Sequence, residues 1–277
     1  RSALTKRVLA MLQTLADKQP EDYAAFWDEF GEVLKEGMGE DFANREALAK
    51  LLRFSSTHGA EGKPQRTSLD DYLQRLVEGQ DKIYVLVADS LDNAQNSPHL
   101  EVFKDRGVEV VLLHDRIDEW LMSHLQEYQG KSFQDVTRAD LVLPGEAKNA
   151  EEEAADDDPL TQRIAGVLGD RVEKVRRSKR LKSSPACLVL GAYALGPQMR
   201  RIMEATGQAL PETKPQFEYN AEHPLVAKLD AEADEERFSE MVLVLLDQAR
   251  LAGGVPLPDA PAYVERMNRL LLELLSA

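Results

Sequence analysis

KIYVLVAD (residues 82–89) is a short apolar run rich in β-branched residues, and VEVVLLHD (108–115) is a second one. Runs of this length and composition predict buried strands. The segment between them, SPHLEVFKDRG, predicts a helix that ends at Gly107. A strand, a helix and a second strand in this order form a parallel βαβ unit with a right-handed crossover. The centre of the chain therefore predicts a small parallel sheet with helices packed on it.

The residues on either side of this unit predict further helices. Residues 1–54 carry apolar side chains at spacings of three and four, and Pro20 is typical of the first turn of a helix. Ser68, with Asp71 three residues later, has the pattern of a capping box. After the second strand, DRIDEWLMSHLQEY predicts a helix with Asp115 as its cap, and KSFQDV predicts an edge strand. Because the chain starts inside a helical pattern, we expect it to be part of a longer protein.

A block of like charges between two prolines, PGEAKNAEEEAADDDP (144–159), marks the predicted domain boundary. The first predicted domain, 1–147, comprises a helical segment (1–67) and a small αβα subdomain (68–147). The second, 148–277, opens with a helix in LTQRIAGVLGDRVEKVRRS. It continues with a strand in ACLVLGAY, a helix in LGPQMRRIMEATG and a short strand in PQFEYN, and it ends in two apolar helices. The predicted fold class is α+β, with a mixed α/β second domain.

Composition limits the partners. The 277 residues include 34 Lys and Arg against 49 Asp and Glu, a formal net charge of −15. A negative surface repels nucleic acid and anionic membranes, so we expect neither as a partner. One cysteine, Cys187, excludes an internal disulfide and fits a reducing, cytoplasmic compartment. The sequence has no apolar run of the roughly 18 residues that a membrane span needs.

No complete set of catalytic or metal-binding residues emerges from the motifs. Gly130-Lys131-Ser132 resembles the end of a phosphate-binding loop, but Leu125 stands where that loop needs its first glycine. The five histidines are scattered without the spacing of a zinc site. His114 and Asp115, at the end of a predicted strand, leave a small α/β enzyme open as an alternative. We therefore expect a chain without enzymatic activity, metal or cofactor of its own.

The last two helices carry more apolar surface than one face of a helix needs. A helix that is apolar nearly all round must be buried on nearly all sides. A second copy of the chain would bury these faces in a four-helix interface with a two-fold axis. A two-helix core inside one chain would bury them equally well, and the pattern alone leaves both open. The predicted interface residues are Phe238, Met241, Val242, Leu245, Leu246, Met267, Leu270, Leu271 and Leu274.

Several segments together resemble the bacterial heat-shock protein 90 family, the HtpG type. They are ALTKRVL, EDFANREALAKLLRFSSTH, SLDDYLQRLVEGQDKIYVLVADS, SPHLEVFKDRGVEVVLLHDRIDEWLM and FSEMVLVLLDQARLA. The resemblance implies the later part of the family's middle domain followed by its C-terminal dimerisation domain. It also implies that the family's ATP-binding domain is absent, so that ATP and Mg²⁺ belong to the full-length protein and not to this chain.

The resemblance further implies a surface for partly unfolded client proteins near the junction of the two domains. The matching residues are Glu119, Trp120, Ser123, Leu195, Ile202 and Met203. Trp120 also has the spacing of a core residue, and Ser123 stands where relatives often carry asparagine. The implied partners are a second copy of the chain, client proteins and other chaperones. A purely structural dimerisation module is the alternative, and exposed apolar surface would distinguish the two.

Overall fold

The computed structural model describes residues 2–59, 66–145, 158–191, 194–196, 200, 203, 206–207 and 213–276. Helices and mixed sheets alternate along it, which confirms the predicted α+β class. The helices are α1 (Ser2–Lys18), α2 (Pro20–Glu40), α3 (Arg45–Leu51), α4 (Leu69–Gln74), α5 (Leu91–Gln95), α6 (Glu101–Asp105), α7 (Asp118–His124), α8 (Pro159–Leu168), α9 (Pro224–Asp230), α10 (Glu235–Ala252) and α11 (Ala260–Ser276). The strands are β1 (Ser55–Ser56), β2 (Lys82–Val87), β3 (Val111–Leu113), β4 (Glu127–Tyr128), β5 (Lys131–Asp135), β6 (Val175–Arg177), β7 (Ala186–Val189) and β8 (Gln216–Tyr219).

The predicted helical segment consists of α1, α2 and α3, and Pro20 begins α2 as expected. The three helices share one apolar core with the first sheet, and Met38 and Leu52 are fully buried in it. Tyr23 donates a hydrogen bond from its hydroxyl to the carbonyl of Leu51 at 2.5 Å. Burial raises the pKa of Tyr23 to about 12. This bond and the shared core join α2 to α3.

The first sheet has the order β1-β3-β2-β5-β4. Strand β2 runs parallel to β3, with α5 and α6 between them in the chain, so the predicted βαβ unit is confirmed. The prediction that KSFQDV is an edge strand is wrong, because β5 pairs with β2 on one side and with β4 on the other. The two-residue strand Glu127–Tyr128 covers the edge that the sequence pattern left open.

One of the two predicted caps is correct. Ser68 caps α4, with its Oγ accepting from the backbone N–H of Asp71 at 3.1 Å. Asp115 does not cap α7, which begins three residues later. The carboxylate that organises this turn belongs to Asp118, whose Oδ2 accepts from the backbone N–H of Asp115 at 3.0 Å. The turn is therefore held by the later of the two aspartates.

The second sheet has the order β6-β8-β7, with β8 parallel to β6 and antiparallel to β7. The single helix predicted from residue 160 onward is wrong, because α8 ends at Leu168 and the chain continues into β6. Gly169 follows α8 with a φ of 48°, a conformation that favours glycine and turns the chain out of the helix. Most of the predicted helix LGPQMRRIMEATG lies outside the described residues.

The two apolar C-terminal helices differ sharply in how much of their surface is buried. Helix α10 packs on the second sheet, and four of the predicted interface residues belong to the core of the single chain: Phe238, Val242, Leu245 and Leu246. These four side chains are buried within the single chain, which is one of the two arrangements that the pattern left open. Met241 is partly buried against the same core. Helix α11 keeps Leu271 49 % exposed, and Met267 and Leu270 are partly exposed. The side chain of Leu274 lies outside the described part of the chain.

Candidate functional site

Main-chain hydrogen bonds join the part of the chain that carries the first sheet to the part that carries the second. Leu190, just after β7, donates to the carbonyl of Thr137 at 2.9 Å, and Ala139 donates to the carbonyl of Leu190 at 2.9 Å. The Arg138 guanidinium donates to the carbonyl of Gly191 at 3.1 Å. We call this contact between residues 135–139 and the second sheet the seam.

A buried carboxylate, Glu218 in β8, organises the arginines of the seam. It is 2 % exposed and accepts from Arg176 at 2.6 Å, from Arg180 at 2.9 Å and from the Ser178 hydroxyl at 2.8 Å. Arg180 also donates to the carbonyl of Val136 across the seam at 2.6 Å. Burial alone would raise the pKa of Glu218, but the two arginines and the serine outweigh it and hold that pKa below its usual value. Glu218 therefore stays ionised, and its partners connect the two sheets.

A second carboxylate, Glu101 at the start of α6, joins the two parts at another point. It accepts from the backbone N–H groups of Lys182 at 2.5 Å, Ser183 at 2.7 Å and Ser184 at 3.1 Å. The Ser184 hydroxyl adds a bond of 2.5 Å. Burial opposes ionisation here as well, but these donors hold the pKa of Glu101 below its usual value. Three amides aimed at one carboxylate fix the 182–184 loop to the first part of the chain.

A cavity of about 800 Å³ opens beside the seam and is lined by both parts of the chain. Its volume falls in the range of roughly 300–1,000 Å³ that is usual for ligand-binding clefts. The apolar lining comes from Val87, Met122, Leu125, Phe133, Leu188, Leu190, Leu195 and Val255. The polar lining includes Glu119, Ser123, Asp135, Arg138, Arg171 and Arg200. Apolar walls with a few charged groups at one edge suit a flexible amphipathic chain.

His99 lines this cavity while its imidazole is almost completely buried, at 4 % exposed. Its Nδ1 has no hydrogen-bond partner among the described residues. A backbone hydrogen bond connects the ring to Leu188 of β7, so His99 also spans the two parts. Burial and the nearby Arg180 lower the pKa of His99 to about 3. The ring is neutral at physiological pH.

A buried ion pair positions α7, the helix that carries three of the predicted client contacts. The Lys35 ammonium on α2 is 2 % exposed and lies 2.5 Å from Asp118 Oδ1 and 2.6 Å from Asp115 Oδ2. The rings of Trp27 and Phe54 flank the ammonium at 5.9 and 5.2 Å. Burial raises the pKa of Asp118, and Lys35 offsets part of that rise. The pair fixes the first turn of α7 against α2.

The structure brings three of the six predicted client contacts together. Glu119, Ser123 and Leu195 all line the cavity, and a Cβ built on Gly196 would lie 2.4 Å from Glu119 Oε1. The carboxylate of Glu119 therefore lies directly over the backbone that follows Leu195. Ser123 is exposed, and its hydroxyl donates to the carbonyl of Trp120 at 2.6 Å.

Trp120 and Met203, two of the other three predicted contacts, are not among the residues that line the cavity. Trp120 is partly buried and packs against α2, where a Cβ on Gly39 would lie 2.3 Å from the indole. Its ring also lies 4.2 Å from that of His124, centroid to centroid. Met203 is partly buried, and Ile202 lies outside the described residues. Trp120 thus packs α7 against α2.

Helix α11 is attached to α10 by ion pairs. Arg266 lies 3.2 Å from Asp247, Arg269 lies 2.8 Å from Glu240, and Arg237 lies 3.5 Å from Glu273. Four of its apolar side chains are exposed. Val264 is 53 % exposed, Leu271 49 %, Leu272 65 % and Leu275 84 %. Helix α11 is thus held by its charged residues and exposes a row of leucines. A partner can cover such a surface.

The enzyme alternative has partial geometric support. Ser55 Oγ lies 3.3 Å from His114 Nε2, and His114 Nδ1 lies 3.5 Å from Asp115 Oδ1. The order of these groups is that of a nucleophile, a base and an orienting acid. Both distances are longer than the roughly 2.6–3.2 Å of an engaged set, and the second oxygen of Asp115 binds Lys35. None of the three residues lines the cavity.

The phosphate-loop resemblance fails in three dimensions as well. Gly130 lies in the tight turn between β4 and β5, and its φ is 77°. Lys131 donates to the carbonyl of Gln80 at 3.1 Å. A phosphate cradle needs a loop that leads from a strand into the N-terminus of a helix, and this hairpin has no such helix. These residues do not fit a nucleotide phosphate.

The residues that hold the seam, Glu101, Arg180 and Glu218, were not predicted from the sequence. Glu218 is a lone acid in the apolar strand PQFEYN, and the run RRSKR supplies its partners, so a signal was present. Placing RRS (176–178) at the end of a helix concealed it. Among the described residues, no cluster of His, Cys, Asp and Glu could hold a metal ion, and no helix is long and apolar enough to cross a membrane.

Two mixed α/β parts are joined by a charged seam, and an apolar cleft opens between them. A family model described as Hsp90 protein matches residues 1–277. Because this match spans the chain, the chain belongs to the Hsp90 family. The family consists of molecular chaperones that bind client proteins and that are ATPases as full-length proteins, which supports a chaperone role for this chain.

Proposed function

We propose that this chain is the client-binding and dimerising part of a cytoplasmic, bacterial-type Hsp90 chaperone. The observation that carries the proposal is the cavity of about 800 Å³ at the seam. Glu119 and Ser123 enter it from one side and Leu195 from the other. An unfolded segment offers apolar side chains and free backbone polar groups, and such a cleft can receive both.

The role of the seam in this proposal is to keep the two walls of the cleft in register. Glu218 and Glu101 each join the two parts through several charge-assisted hydrogen bonds. Met122 and Leu195 then supply apolar surface that can adapt to different sequences. The client contacts predicted at Trp120, Ile202 and Met203 remain part of the proposal. The chain performs no covalent chemistry in this role.

Dimerisation is the second element of the proposal. The exposed leucines of α11, Leu271, Leu272 and Leu275, support an interface with a second copy of the chain. Two clefts in one particle hold a client more tightly than one, because a tethered second site meets it at high effective concentration. The alternative of a purely structural module would leave the cleft without a ligand.

A binding assay with a permanently unfolded, cysteine-blocked model protein tests the cleft. We expect Leu195→Ser to weaken the affinity by about fivefold, because one apolar contact of about 1 kcal/mol is removed. Leu225→Ser is the matched control: Leu225 is 46 % exposed, Leu195 is 37 % exposed, and Leu225 lies on α9 away from the cleft. Equal affinities of the two variants would contradict the proposed site.

A further inference from the structure

Helix α2 exposes an apolar row that the cleft does not use. Phe26, Phe30 and Val33 follow one another at spacings of four and three residues, so they lie on one face of the helix. Phe30 is 52 % exposed and Val33 is 60 % exposed. The rings of Phe26 and Phe30 are stacked with their centroids 5.3 Å apart. Phe26 is partly buried against the core, so Phe30 and Val33 form the exposed apolar part of this face, which is a sign of an interaction surface.

A row of carboxylates borders these apolar residues. Asp22, Glu29 and Glu36 recur every seven residues, which places them one above another beside Phe26 and Val33. Helix α2 has seven acidic residues, and among the described cations only Arg66 forms an ion pair with one of them, Asp28. We call Asp22, Phe26, Glu29, Phe30, Val33 and Glu36 the acidic–apolar stripe.

The one basic residue of α2 does not neutralise the stripe. Lys35 is 2 % exposed, and its ammonium is committed to Asp115 and Asp118 in the interior. The exposed charge of α2 is therefore entirely negative. An apolar partner would force these carboxylates out of water without a counter-charge, which is costly. A partner with cationic residues beside apolar ones would pair with the carboxylates and cover the apolar side chains.

We propose that the acidic–apolar stripe binds segments of unfolded polypeptide that carry lysine or arginine next to apolar side chains. This inference rests on the proposed function and adds a class of client sequence to it. The stripe is a second contact surface, on the helical segment, distinct from the cleft at the seam. Exposed ion pairs are screened by salt, so binding here weakens as ionic strength rises.

A synthetic amphipathic peptide of about five helical turns, with lysine and leucine in adjacent rows, is the direct probe. Its counterpart with glutamate in place of lysine is the charge control. Fluorescence anisotropy with the full chain should detect the lysine peptide and not the glutamate peptide. Phe30→Ser/Val33→Ser should weaken binding about tenfold, and Glu29→Gln/Glu36→Gln about fivefold with a smaller salt dependence.

The matched control is Glu222→Gln/Asp230→Asn, at two exposed acidic residues outside α2. It changes the net charge as much as Glu29→Gln/Glu36→Gln does, but at positions far from the stripe in the sequence. Unchanged peptide affinity in both stripe variants would overturn the proposal. So would a change in the solution mass of Phe30→Ser/Val33→Ser without a change in peptide affinity, because the stripe would then contact a second copy. If Leu195→Ser loses client binding but still binds the peptide, the cleft and the stripe are separate binding sites.

Discussion

At the scale of single residues, Glu218 has the largest effect on how the chain is joined. Glu218 is 2 % exposed, and its carboxylate accepts hydrogen bonds from two arginines and a serine. One of these arginines, Arg180, also donates to the carbonyls of Val136 and Arg138 across the seam. Removing one partner of such a buried network leaves an uncompensated charge. One acid and its arginines therefore strengthen the connection that main-chain hydrogen bonds and Glu101 also make.

His99 makes the stability of this junction sensitive to pH. Its pKa is about 3 in the folded chain against the usual value near 6.5, so below about pH 6.5 only the unfolded chain takes up the proton. Stability is then lost as the pH falls, at up to about 1.4 kcal/mol per pH unit. Glu101 and Glu218 also make the folded chain less stable as the pH falls, but their lowered pKa values place that loss of stability at more acidic pH. The contribution of His99 can therefore be measured between about pH 7 and pH 5.

We expect His99→Gln to remove this part of the pH dependence while lowering the stability at pH 7. Urea unfolding of the wild type and the variant at about pH 7, 6 and 5 measures the difference. His58→Gln, at an exposed histidine, should keep the slope of the wild type. Parallel slopes for His99→Gln and the wild type would contradict a buried, neutral His99.

Sequence predictions at this scale succeeded where the interaction is local. Ser68 and Asp71 are three residues apart, and their capping contact follows from that spacing alone. Asp115 was misassigned because Lys35, about eighty residues earlier in the chain, determines how the two aspartates are used. Glu218 and Arg180 are 38 residues apart, so no local pattern relates them.

At the scale of secondary-structure elements, the two C-terminal helices show what an apolar pattern can and cannot predict. The pattern predicted correctly that α10 and α11 are helices with too much apolar surface for one exposed face. It could not predict which surface each helix covers. Phe238 and Val242 are fully buried within the chain, while Leu271 and Leu275 are exposed. The proposed interface therefore lies on α11.

We expect Leu271→Glu/Leu275→Glu to convert a dimer into a monomer. Charges placed on this row would lose their hydration in a two-fold interface and would face each other across the axis. Light scattering over a dilution series should give a mass near twice 31.0 kDa for the wild type and near 31.0 kDa for the variant. Leu225→Glu, at an exposed leucine on α9, should remain dimeric. A wild type that is monomeric throughout would contradict the interface.

Elements buried by their own neighbours were the most predictable. Strands β2 and β3 are apolar runs flanked by helices, and both formed as expected. The strand β5 was recognised but given the wrong place, because its outer neighbour β4 has only two residues. The helix predicted from residue 160 was too long, because an amphipathic pattern does not by itself reveal the turn at Gly169.

At the scale of the whole molecule, apolar cores pack on both sheets, and a charged seam joins the two parts. Tyr84 and Phe103 lie in a core of the first sheet, and Phe217 and Phe238 lie in the core of the second. The predicted domain boundary at 147/148 falls in a segment outside the described residues and stays a prediction. Local sequence patterns could not predict the cleft, because its walls come from residues about seventy positions apart, such as Ser123 and Leu195, and only the family resemblance pointed to both.

Position-specific photo-crosslinking tests the central claim, that unfolded polypeptide enters the cleft. Ser123→Cys places a reactive thiol on α7 at the cleft, and Leu225→Cys places one on α9. The native Cys187 is 1 % exposed and burial raises its pKa, so it leaves the added thiol as the site of labelling.

A benzophenone is attached to each thiol, and each labelled variant is irradiated in the presence of the cysteine-blocked unfolded protein. The crosslinked adducts at the two positions are then compared. The account predicts a crosslinked adduct from position 123 that excess unlabelled client suppresses, and little adduct from position 225. Equal adducts from both positions, or none from position 123 while the client is bound, would contradict it.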